Sequence, residues 1–142
     1  MATPKTILIT GATGKQGGAT IRALLDQKHT PVKIIAVTRS KDSAGARALA
    51  ARPNVSVIQG NLDDCDAIFK QAGDVWGVFS VQVPSNSDAK AEERQGKALI
   101  DAAAANGVKF FVYVDGRPFH PLLLATLSRC DDSNGWTSYP WD

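Results

Sequence analysis

Between a short β-branched run, Thr6-Ile7-Leu8-Ile9-Thr10, and an amphipathic segment lies the stretch Gly11-Ala12-Thr13-Gly14-Lys15-Gln16-Gly17-Gly18. Four glycines in eight residues at a strand-to-helix junction narrow the choice of fold more than any other feature of this chain. The run before them is too short and too β-branched to be a buried helix. The segment after them, residues 15–28, repeats Ile21, Leu24 and Leu25 at helical spacing and stops short of Pro31. In the spacing G-x-x-G-x-x-G, Gly11 allows the tight turn out of the strand. Gly14 removes the Cβ that would hold a pyrophosphate off the backbone, and Gly17 lets the helix pack closely. The helix start then offers unpaired N–H groups and the positive end of its dipole to the phosphates. A plain βα turn needs one glycine, so four in this context predict dinucleotide binding.

The rest of the chain to about residue 114 repeats the alternation. Further strands are predicted at residues 33–38, 55–59, 75–81 and 108–114, with helices at 43–52, 65–71 and 88–105. Pro53 stops the second helix, Asp63 or Asp64 caps the third, and Asn106-Gly107 ends the fourth, which turns Ala91, Leu99, Ala102 and Ala103 to the sheet. The pattern is that of an α/β chain, a Rossmann-like doubly wound parallel sheet of order 3-2-1-4-5.

Where such folds hold an NAD ribose they usually carry an acid after the second strand; this chain has Arg39-Ser40-Lys41. An acid would repel a 2′-phosphate, whereas an arginine binds it through two charge-assisted bonds and a lysine adds a point charge. NADP(H) is therefore expected over NAD(H). Net charge points the same way. Residues 1–52 hold nine Lys+Arg against two acids, and residues 53–142 hold seven against twelve, so a total of +2 hides halves of about +7 and −5. The basic charges are scattered through strands and helices, which suits a discrete phosphate and not a nucleic-acid face.

Composition excludes other classes. At 142 residues and 44% hydrophobic the chain is long enough for a core without disulfides. Cys65 and Cys130 stand far apart without metal-ligand spacing, so no metal site is expected and a reducing compartment fits. No apolar run approaches a membrane span, and Met1 to Lys5 does not open a secretory signal. A cytoplasmic protein without membrane contact is expected.

With Gly-Ala-Thr-Gly-Lys-Gln-Gly-Gly, Val37-Thr38-Arg39-Ser40, Gln59-Gly60-Asn61-Leu62-Asp63-Asp64 and Arg94-Gln95-Gly96-Lys97, the chain resembles the NmrA-like family of atypical short-chain dehydrogenases over residues 5 to about 114. The resemblance implies a protein that binds NADP(H) as a redox sensor or transcriptional regulator, in cytoplasm and nucleus, and passes the ligand's presence to a protein partner. It places Gly11, Ala12, Thr13, Gly14, Lys15 and Gln16 around the pyrophosphate, and Arg39, Ser40 and Lys41 on the 2′-phosphate. Gly60 and Asn61 fall beside the adenine, Val81, Gln82 and Val83 beside the ribose and nicotinamide, and Arg94 near the cofactor. Position 61 departs from the Asp usual there.

Relatives that transfer hydride use Tyr-x-x-x-Lys, in which the lysine lowers the tyrosine pKa. Here Tyr113 is followed four places on by Arg117, and Tyr139 has no residue four places on. No catalytic residue is assigned, and an NADPH-dependent reductase of the isoflavone-reductase type is the alternative reading. A non-functional product is the third.

Residues 1–115 form the predicted dinucleotide-binding domain and residues 116–142 a non-matching, mostly irregular tail. The last Lys is Lys109 and the last Glu is Glu93, yet four of the ten aromatics fall beyond residue 115. In that tail residues 122–127 read as two helical turns after Pro121. The break suggests a frame or splicing product and a fold cut before its substrate-binding region, with self-association through the uncovered surface. The remaining reactive side chains take bland readings. Cys65 sits among Asp63, Asp64 and Asp66, which oppose its ionisation. Cys130 beside Asp131 and Asp132 meets the same objection, His29 and His120 read as loop residues, and Trp76 as sheet core or edge.

Overall fold

The computed structural model describes residues 3–27, 31–81, 89–114 and 125–127. Gln82, Val83, His29, Cys130, His120 and the aromatics of the tail lie outside these ranges. The elements run β1 (Lys5–Ile9), α1 (Lys15–Leu25), β2 (Val32–Thr38), α2 (Ala44–Ala50), β3 (Val55–Gln59), α3 (Cys65–Ala72), β4 (Gly77–Val81), α4 (Ala89–Ala105), β5 (Phe110–Val114) and β6 (Ala125–Leu127). The sheet order is β3-β2-β1-β4-β5-β6. The first five strands are parallel, in the order the sequence predicts, and β6 pairs antiparallel with β5.

β6 corrects one expectation. Residues 122–127 read as helix, but Ala125, Thr126 and Leu127 stand opposite Tyr113, Val112 and Phe111. The open edge of β5 offers a row of backbone partners to a segment too short to sustain a helix by itself. Elsewhere the ends of elements differ by one to three residues. β4, for instance, begins at Gly77 and not at 75, although the Trp76 amide still donates to the Thr6 carbonyl at 2.9 Å.

Strand alternation divides the buried side chains into two cores. Ile9, Ile34, Ala36 and Val55 face α1 and α2, where Ile21, Leu24 and Leu49 meet them. Leu8, Ile35, Val37, Val78 and Phe111 face the other way, against Ile68 and Phe69 of α3 and Leu99 and Ile100 of α4. Helices therefore cover both faces, which is what right-handed crossovers between parallel strands require. Ile100, absent from the predicted face of α4, is fully buried beside Leu99.

Local chemistry fixes the helix ends. Ser43 caps α2 by accepting from the Ala46 amide at 3.2 Å, and Asp64 caps α3 by accepting from the Ala67 amide at 3.2 Å. At the end of α4, Gly107 adopts φ +72, its amide donates to Ala104 O, and the Val108 amide donates to Ala103 O at 3.1 Å. This is the paired carbonyl closure of a left-handed helix stop, and Val108 behind it is fully buried. At the amino end of the sheet Trp76 stacks on Phe110 with centroids 5.7 Å apart, and the Lys5 ammonium lies 4.1 Å from the indole centre. Trp76 is half-buried there, at the sheet margin.

Leu8 lies at the centre of the larger core with no exposed surface. Leu8→Ala is expected to destabilise the fold by about 3 kcal/mol, combining lost transfer energy with a residual cavity; urea denaturation followed by circular dichroism measures it.

Candidate dinucleotide-binding site

At the carboxyl ends of β1 to β4, outside the point where strand order reverses, lies an open cavity of about 380 Å³. Thr10, Gly11 and Val81 line it where β1 and β4 part, with Thr13 above them. Val37, Thr38, Arg39 and Ser40 form the wall beyond β2, with Ser43 behind, and Gly60, Leu62 and Gln95 form the far side.

The turn at the bottom is held from two directions. Thr10 is buried; its hydroxyl accepts from the Val81 amide at 3.0 Å and donates to the Val81 carbonyl at 3.4 Å, joining β1 to β4. Gly11 follows at φ +61, and a Cβ there would stand 3.3 Å from Val81 Cβ. From the other side α1 comes so close that a Cβ on Gly17 would lie 2.2 Å from the Gly11 carbonyl oxygen, an overlap that backbone cannot relieve. The close packing expected of Gly17 is thus made on the turn itself. Gly14 is the N-cap residue of α1 and supplies no side-chain bond, unlike Ser43 and Asp64 at α2 and α3. The leading amides of α1 are left for an external acceptor, which a pyrophosphate provides.

The wall after β2 is rigid behind an exposed cation. The Thr38 hydroxyl accepts from the Ser40 amide at 3.3 Å, and the Ser43 hydroxyl donates to the Ser40 carbonyl at 3.1 Å. Arg39 is exposed, and no described residue lining the cleft is acidic. The chemistry of this donor set fits a ribose 2′-phosphate.

The cleft gathers Gly11, Thr13, Arg39, Ser40, Gly60 and Val81 from the sequence-predicted set. Ala12, Gly14, Lys15, Gln16 and Gly17 build the turn and first helical turn beside it without lining the cavity. Lys41, Asn61 and Arg94 are exposed and also outside the lining, although the Lys41 amide is held by Gln59 Oε1 at 3.3 Å and Asn61 Oδ1 accepts from the Asp63 amide at 3.0 Å. Sequence reasoning missed six of the lining residues: Thr10, Val37, Thr38, Ser43, Leu62 and Gln95. Gln95 left a signal, since it precedes Leu99 by four residues and is the polar member of the buried stripe of α4.

Two reactive side chains near the site are quiet. The Cys65 thiol is buried, donates to the Leu62 carbonyl at 3.2 Å, and has its pKa raised from 9.0 to about 11, first by burial and then by Asp66, Asp64 and Asp63. Tyr113 is buried against α4, with its ring edge 3.0 Å from the place a Cβ on Gly96 would occupy. It belongs to the larger core.

A model of the NmrA-like family matches residues 3–120. The NmrA-like family domain-containing oxidoreductase lnaB of Aspergillus flavus is 35% identical over 122 residues, covering 80% of this chain and 35% of that protein. FrzB of Cladobotryum sp, of the same description, is 38% identical over 122 residues, covering 79% and 34%. Among solved structures, the negative transcriptional regulator NmrA in complex with NADP superposes with a TM-score of 0.63 at 28% identity, over 79% of this chain and 33% of that one. Its complex with NAD gives 0.64 at 29%, with the same coverage. The NADPH-dependent quinone oxidoreductase QOR2 of Escherichia coli, complexed with NADPH, gives 0.61 at 34%, over 75% and 35%. The chain spans about a third of the length of the relatives it matches.

Thr10→Val removes both hydroxyl bonds and leaves the Val81 amide without its acceptor. A loss of about 2 kcal/mol is expected in urea denaturation. Cys65 alkylation by iodoacetamide should still be rising at pH 10, with its midpoint near 11. Because the folded pKa exceeds the unfolded one, the thiol's contribution to stability is complete below about pH 9 and falls away between 9 and 11.

Proposed function

Because the chain belongs to the NmrA-like family, we propose that its cleft binds NADP(H) in preference to NAD(H) and that the bound dinucleotide acts as a signal and not as a hydride donor. The observation that carries the ligand assignment is the company Arg39 keeps. It lines one cavity with the Gly11 turn, beside Ser40 and Ser43, and no described lining residue is an acid that would repel a 2′-phosphate. In this reading the leading amides of α1 take the pyrophosphate, Arg39 and Ser40 take the 2′-phosphate, and Lys41 adds charge from the rim. Asn61 and Gly60 stand on the adenine side, and Gln82, Val83 and Arg94 complete the cofactor set that the family resemblance implies.

The sensor reading rests on Tyr113 being spent on core packing and on the absence of Tyr-x-x-x-Lys from the chain. Its output is a protein partner that distinguishes the liganded from the free domain, or a second copy of the chain. A second reading, NADPH-dependent oxidoreduction, is favoured by the description of the fungal relatives and by the bacterial quinone oxidoreductase at 34% identity.

Calorimetric titration of this chain with NADPH and NADH tests both. Arg39→Ala should weaken NADPH binding by roughly ten- to a hundredfold and leave NADH nearly unchanged, because only the 2′-phosphate loses its charge-assisted bonds. An unaltered NADPH-to-NADH ratio would overturn the assignment. Steady consumption of NADPH in the presence of a quinone would favour the oxidoreductase.

A further inference from the structure

Gln95 reaches the cleft from α4, on the side where Gly60 and Leu62 end the β3 wall. Its Nε2 donates to Asp63 Oδ1 at 3.0 Å, a bond between residues 32 apart in sequence that ties the β3–α3 loop to α4. A carboxylate only accepts, so this contact fixes which way the carboxamide points. The nitrogen is committed to Asp63. The oxygen, Oε1, has no partner among the described residues and is the acceptor that the lining side chain retains. Gly96, the next residue, is buried under the Tyr113 ring, which holds this turn of α4 in place.

We propose that Gln95, oriented by Asp63, selects the purine of the dinucleotide by accepting a hydrogen bond from an exocyclic 6-amino group. This rests on the dinucleotide reading above. In a doubly wound sheet with the pyrophosphate at the β1 turn, the adenosine half extends over β2 and toward β3, the side that Leu62 and Gln95 close. Adenine presents an N–H donor at position 6, whereas a 6-oxo purine presents an acceptor there and sets oxygen against oxygen. Leu62 supplies an apolar surface beside the same position, and Asn61 Oδ1, also on the adenine side, is engaged by the Asp63 amide. Asp63 is a positioning residue and touches no ligand atom.

The probes are NADPH and its 6-oxo counterpart, reduced nicotinamide hypoxanthine dinucleotide phosphate, titrated calorimetrically against the full chain. The wild-type protein should bind NADPH about tenfold more tightly, the worth of one such bond against an unpaired acceptor. Gln95→Leu should bring the two affinities to within about twofold, while the NADPH-to-NADH ratio set at Arg39 stays as it was. A general loosening of the fold would not move one ratio and spare the other. Asp63→Asn, an exposed and conservative change, should reduce the purine ratio by freeing the carboxamide to turn. A wild-type ratio near one, or a tenfold ratio that survives Gln95→Leu, overturns the proposal while leaving dinucleotide binding intact. Failure of either dinucleotide to bind the wild-type chain overturns the dinucleotide reading, and this inference with it.

Discussion

The distance between the first turn of α1 and the end of β1 is the constraint on which the rest of the structure depends. With a Cβ at Gly17 the helix would have to withdraw from the Gly11 carbonyl, and its leading amides would leave the mouth of the cleft. The same contact orients the apolar stripe of α1, Ile21 and Leu24, onto Ile9, Ile34 and Ala36. Core packing on that face and the placing of those amides at its upper edge are therefore a single geometric requirement. Thr10 completes it from below, because a turn pressed by a helix on one side needs a fixed strand on the other.

A division of labour between neighbouring residues shapes the second wall. Asp63 and Asp64 look interchangeable as caps for α3, and the structure assigns them different tasks. Asp64 accepts from the Ala67 amide, while Asp63 turns outward to Gln95. The Asn61 side chain folds the loop between them and the strand. Three short polar side chains thereby convert a strand exit into a defined surface without burying a charge, and burial, followed by the acids around it, holds the Cys65 thiol in its protonated form.

The fold was largely legible because a parallel sheet writes itself as β-branched runs at regular intervals, and because glycine and proline mark its turns. Strand order followed from the reversal that the glycine turn implies. The cleft was legible where a residue's own type marks its place in the chain, as with Gly11 and Arg39, which both line it. It was not legible where a residue acts through position in space. Gln95 enters the cleft only because α4 packs beside α3. The three-residue β6 was hidden for a related reason, since its conformation is decided by the partner edge of β5 and not by its own preferences.

The buried Cys65 bears on what redox chemistry this architecture permits. A thiol held in its neutral form reacts slowly with peroxide, because the thiolate is the species that is oxidised. Through this residue the domain is chemically deaf to oxidants. Under the proposed dinucleotide reading, what Cys65 leaves to the cleft is occupancy alone, an equilibrium quantity to which this thiol adds no covalent memory.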